Sequence, residues 1–161
     1  RADTLWAIRG TGVGAVGLNR LTGESAPLRP RASRADTIEH GFAMVSRFFP
    51  GGKDILAAVE EDLVRSLLGP VQAGKARLFE DQYISTGGQF YELMAGHDRF
   101  NADLRPNLES VLADRGEALG RRLDAPMDTT SPIAWVGYAN RRLRERIEPV
   151  LQRLLREYGL L

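Results

Sequence analysis

From Val136 onward, the apolar residues Val136, Ala139, Leu143, Ile147, Val150, Leu154 and Tyr158 recur every three or four positions. That period lines them along one side of a helix. Ser131-Pro132 marks its opening, and Pro149 removes one internal hydrogen bond and should bend the helix or break it in two. The pattern repeats in shorter pieces upstream. Asp36 and Glu39 have the spacing of a capping box, followed by Ile38, Phe42, Val45 and Phe49 and a stop at Pro50-Gly51-Gly52. A second helix is predicted from about Asp54 to Leu68, with Ile55, Val59, Leu63 and Leu67 on its buried side. Pro70 opens a third, running through Leu78, Phe79 and Tyr83, and a short fourth carries Phe90, Tyr91, Leu93 and Met94 up to Gly96. The stretch HDRFNADLRP has no clear period. A fifth helix begins at Pro106 or Asn107 and presents Leu108, Val111, Leu112, Leu119 and Leu123, and residues 124 to 130 form a loop.

The start of the chain reads differently. Residues 2 to 9 suit a short helix or strand, but Gly10, Gly12, Gly14 and Gly17 weaken any regular element after them. Pro27 and Pro30 hold their predecessors extended. The expectation is an all-α bundle of five to seven helices over residues 35–161, preceded by an extended, basic, glycine- and proline-containing arm over residues 1–34. Phe42, Phe48, Phe49, Phe79, Tyr83, Phe90, Tyr91 and Trp135 are assigned mostly to the apolar faces of that bundle.

Composition narrows the chemistry. The 161 residues match one ordinary domain. The chain has no cysteine, which excludes disulfides, thiolate metal sites and a cysteine nucleophile. No apolar run approaches the roughly 20 residues that span a bilayer, so the chain is read as soluble, with no compartment assigned. Residues 1–34 carry six arginines against two acids, residues 35–130 ten basic against sixteen acidic residues, and the remainder six arginines against three glutamates. A basic arm, an acidic middle and a basic final helix can satisfy one another within the fold.

Candidate chemistry is sparse. Gly12-Val-Gly14-Ala-Val-Gly17 has the spacing of a dinucleotide-binding turn, but no βαβ pattern surrounds it and Gly23 and Pro27 follow too soon. His97, Asp98 and Asp103 can be drawn as a metal or acid–base cluster, yet no HxxH or HxxxH pair supports it. Glu60-Glu61-Asp62 and Glu80-Asp81 read as solvated helix faces. Arg141, Arg142, Arg144, Arg146, Arg153 and Arg156 suit phosphate contacts, but Glu145, Glu148 and Glu157 interleave with them. Arg34 and His40 lie six apart, a spacing that resembles the Arg-x(4–6)-His signature of the HEPN ribonucleases. That resemblance implies an all-helical RNA-cleaving domain with Arg34 and His40 as its working pair.

The reading that these observations favour is a non-catalytic interaction or assembly domain, a module or subunit of a larger complex. Its contact residues are expected on the arm, at Arg29, Arg31 and Arg34, and on the final helix, at Arg142, Arg146 and Arg153. The expected partner is another protein or a second copy of the chain, with no cofactor and no metal. The alternative is a HEPN-like ribonuclease or a helical RNA- or DNA-binding domain.

Overall fold

The computed structural model describes residues 2–8, 10–47, 50–81, 85–108 and 134–161. Its fold is mixed α/β. The described residues form three α-helices and two three-stranded sheets, not an all-α bundle. The chain divides into two compact units, Arg1–Arg31 and Ala32–Leu161.

The first unit is an antiparallel meander of β1 (Ala2–Ile8), β2 (Gly12–Leu18) and β3 (Ser25–Pro27). It replaces the expected extended arm. Of the glycines that argued against regular structure, Gly10 lies in the turn and Gly12, Gly14 and Gly17 belong to β2, where Gly14 pairs with Trp6 and Gly17 with Asp3. Gly14 is required there. The Trp6 indole lies across it, and a Cβ at position 14 would overlap the ring.

In the second unit, the sheet order is β4 (Phe42–Val45), β5 (Asp98–Asp103), β6 (Trp135–Tyr138). Strand β4 is parallel to β5, and β5 is antiparallel to β6. On the outer side of β4, backbone bonds from Ala43 N–H to Phe79 O and from Phe79 N–H to Gly41 O attach a short segment ending at Phe79. One sheet face carries Ala43, Val45, Phe100 and Ala102, which form the main core with α1 (Lys53–Leu68) and α3 (Arg141–Glu157). The other face is covered by α2 (Thr86–Ala95), whose Leu93 sits against Gly137 and whose Phe90 ring packs on Trp135.

Several expected helices give way to strands or loops. Residues 36–47 do not form a helix: Phe42–Val45 is a strand, buried at Ala43, Met44 and Val45, and Glu39 binds Arg77 instead of closing a capping box. A short apolar run has no period of its own, so FAMV fits a strand buried on both faces as well as it fits a helix. Residues 70–81 are turn and loop apart from the bridge of Phe79 to Phe42. The final helix starts at Arg141, not after Ser131-Pro132, because Val136 belongs to β6 and Asn140 caps α3 by accepting the Leu143 N–H at 3.0 Å. Pro149 neither breaks that helix nor ends it. The expected fifth helix starts in a described 3-10 turn, Arg105–Leu108, with Leu108 buried; its remainder, the 124–130 loop, Ser131-Pro132 and the aromatics Phe48, Phe49 and Tyr83 lie outside the described residues.

Candidate functional site

Two features stand out, one in each unit. In the N-terminal sheet, the antiparallel register places Trp6, Ile8, Val16, Leu18 and Pro27 on one face and Leu5, Ala7, Val13, Ala15 and Ala26 on the other. Both faces are apolar. Ala15 is its one fully buried hydrophobic residue, whereas Trp6 is 45 % exposed, Ile8 59 %, Val13 61 % and Leu21 96 %. Large apolar side chains on both sides of a sheet this small leave apolar area exposed and little core between them.

The outer edge of β1 adds backbone groups to that surface. The Thr11 N–H donates to Ile8 O across the hairpin, so the even-numbered residues of β1 turn their backbone groups toward β2. Asp3, Leu5 and Ala7 therefore present theirs outward. In the order β1-β2-β3, β1 is an end strand of its sheet.

In the second unit, the buried polar side chains Ser46, Glu60, Gln89, Asp98, Asn101 and Asp103 gather around the end of β4 and along β5. The Glu60 carboxylate, on α1, accepts the Val45 N–H at 2.7 Å and an Arg47 guanidinium N–H. Arg47 also donates to Glu80, so one arginine bridges two carboxylates. Burial pushes the Glu60 carboxyl up to about 7: the Val45 N–H opposes the rise, the Glu80 charge adds to it, and Arg47 opposes it. A cleft of about 560 Å³ lies alongside, walled by Val64 and Arg65 of α1 and by Val71, Lys75, Arg77 and Leu78. A carboxyl that titrates near neutrality is suited to proton transfer, but here the hydrogen bonds of Glu60 and Arg47 go to each other and to neighbouring elements. They tie α1 to β4 and to the segment ending at Glu80.

On the opposite sheet face, the Gln89 amide donates to Ser46 Oγ at 2.7 Å and the Asn101 amide donates to Asp98 Oδ2 at 2.7 Å. Burial raises the Asp98 carboxyl above its ordinary range, against the Asn101 bond. His97 turns to Glu92, not to Asp98 and Asp103, and Asp103 pairs with Arg105. Among the described residues, no three histidine or carboxylate side chains are placed to hold a metal ion, and no helix is long and apolar enough to cross a membrane.

The expected site residues are dispersed. Arg29 and Arg31 are exposed just after β3, and Arg34 and His40 are exposed on the loop leading to β4. His40 adopts a left-handed backbone, φ 57°, and its N–H donates to Arg77 O. The all-helical setting that the HEPN resemblance implies is absent. On α3, Arg142 is exposed, Arg146 donates to Asp36 O, and Arg153 pairs with Glu157 and reaches Ser66 Oγ. The sequence reading treated Glu60 and Glu80 as separate solvated charges and passed over Trp6, Ile8 and Leu18. ADTLWAI does not alternate, because both faces of the sheet are apolar, so period gave no signal for the latter.

Comparison of the chain with protein families, with curated proteins and with solved structures finds no match to any of them.

Proposed function

We propose that this protein is a non-catalytic interaction or assembly module whose N-terminal sheet is its main contact surface. The exposure of Trp6, Ile8 and Val13 on a sheet with almost no core of its own carries the reading. Below about 40 residues, a chain rarely buries enough surface to hold its fold unaided, and covering three half-exposed large side chains is worth about 1 kcal/mol apiece. A partner laid on this sheet supplies what the unit lacks.

The final helix supports a polyanion partner less well. Three of its arginines are neutralised by glutamates one turn on, in the pairs Arg141–Glu145, Arg144–Glu148 and Arg153–Glu157. Arg146 is engaged by the backbone of Asp36.

Photo-crosslinking in cells that express the protein tests the reading. A benzoylphenylalanine in place of Ile8 should capture a protein, while one in place of Glu61, on the outer face of α1, should not. No adduct from position 8 would overturn it.

A further inference from the structure

We infer that the outer edge of β6, in the second unit, is a docking groove for an extended, uncharged peptide segment of another protein, which joins the sheet as a further strand. In the order β4-β5-β6, β6 is an end strand. The Ala139 N–H donates to Arg99 O, so Gly137 and Trp135, at alternate positions before it, turn their backbone groups toward β5. Val136 and Tyr138 therefore present their N–H and C=O groups outward. β6 carries no proline, lysine or bulge, three of the devices by which edge strands avoid pairing. The opposite edge of the sheet is treated differently. There the segment ending at Phe79 bonds to Gly41 and Ala43 and covers β4 with the chain's own backbone.

Side chains complete the groove. Val136 and Tyr138 lie on the α3 side of the sheet, packed against the main core, and the Tyr138 ring sits 5.7 Å from that of Phe100. Between β6 and α3 are two adjoining hollows of about 390 and 660 Å³ that share Tyr138, Arg144 and Glu148. The first has an apolar floor of Val136, Tyr138, Leu151 and Leu155. Around the second, Arg144 pairs with Glu148 and Arg141 with Glu145, so the rim is balanced in charge and gives an anionic ligand no net attraction. Side chains of a strand alternate between its faces. Two peptide residues at alternate positions therefore enter the hollows, an apolar one over Leu151 and Leu155 and an uncharged polar one beside Asn140 and the ion pairs. The backbone between them bonds to Val136 and Tyr138. In recognition by strand addition, main-chain bonds supply the affinity and alternate side-chain pockets the selectivity.

Panning a phage-displayed library of random octapeptides against the full 161-residue chain tests this. The expected binders carry an apolar residue and an uncharged polar one at alternate positions, with no proline between them, and slow hydrogen exchange at the Val136 and Tyr138 amides. Gln152→Trp places a bulky ring at the mouth of the first hollow from an exposed helix position and should weaken the binders by about tenfold or more. Val136→Pro removes an outward N–H without touching a β5–β6 bond and should weaken them by about fivefold. The tryptophan variant decides the matter if the proline variant misfolds. A library without binders, or binders indifferent to Gln152→Trp, overturns the inference. So does a chain that sediments as a dimer which either substitution disperses, because the edge then belongs to a second copy.

Discussion

The Glu60 carboxylate accepts the Val45 N–H at 2.7 Å, which fixes α1 against the last residue of β4. Because burial lifts this carboxyl from its ordinary 4.5 to about 7, the folded state holds the proton more tightly than the unfolded one. The favourable contribution is therefore complete below the unfolded value and is lost as pH rises through about 7. A full loss corresponds to about 3 kcal/mol at most. Glu60→Gln, which mimics the protonated group, should remove this dependence. Urea midpoints near about pH 5 and about pH 8 should converge toward one another in the variant relative to the parent. Glu39, held low by its bond to Arg77, acts in the opposite sense and is common to both proteins. Equal pH profiles for parent and variant would contradict the assignment.

Asn140 does two jobs. Its Oδ1 caps α3 through the Leu143 N–H, and its Nδ2 donates to Ser33 O at 2.9 Å and to Ala35 O at 2.7 Å. Asn140→Asp keeps the cap and loses the donors, whereas Asn140→Ala loses both. Thermal unfolding should rank parent above Asp above Ala, with the cap worth about 1 kcal/mol and the two donated bonds about 1 kcal/mol each. An Asp variant as unstable as the Ala variant would show that the cap contributes nothing.

Pro149 is exposed in the middle of a continuous α3, where it leaves a carbonyl one turn earlier without its helical partner. Pro149→Ala restores that bond and improves helix propensity, offset in part by a freer unfolded chain. The expected net gain is about 1–2 kcal/mol, read as a rise in Tm. A fall in Tm would mean that the proline ring makes a stabilising contact.

The parts of the fold written as amphipathic helices were legible. The second predicted helix corresponds to α1, with Ile55, Val59 and Leu63 buried as the spacing required, and Gly96 ends α2 as its left-handed cap. The strands were not. FAMV lacks alternation because Ala43 and Val45 are buried on one face and Met44 on the other, and in β5 the buried positions include Asp98, Asn101 and Asp103, which a hydropathy reading assigns to solvent. Those side chains are tolerated inside because Asn101 meets Asp98 and Asp103 meets Arg105. Val136 and Ala139 fell by coincidence into phase with the helix behind them, which drew its predicted start too far forward. In β2, glycine was read as a breaker, although pairing with β1 and the passage of the Trp6 ring across Gly14 favour it there. The Arg47 bridge between Glu60 and Glu80 joins residues from three elements, and no local spacing announces it.

Hydrogen exchange of the amides of β1 is the most direct measure of whether the N-terminal sheet is a contact surface. In the chain recovered within its native assembly, the outward N–H groups of Leu5 and Ala7 should exchange far more slowly than in the same chain dispersed to monomer, while α1 amides change little. Equal exchange of those two amides in both states would contradict the account.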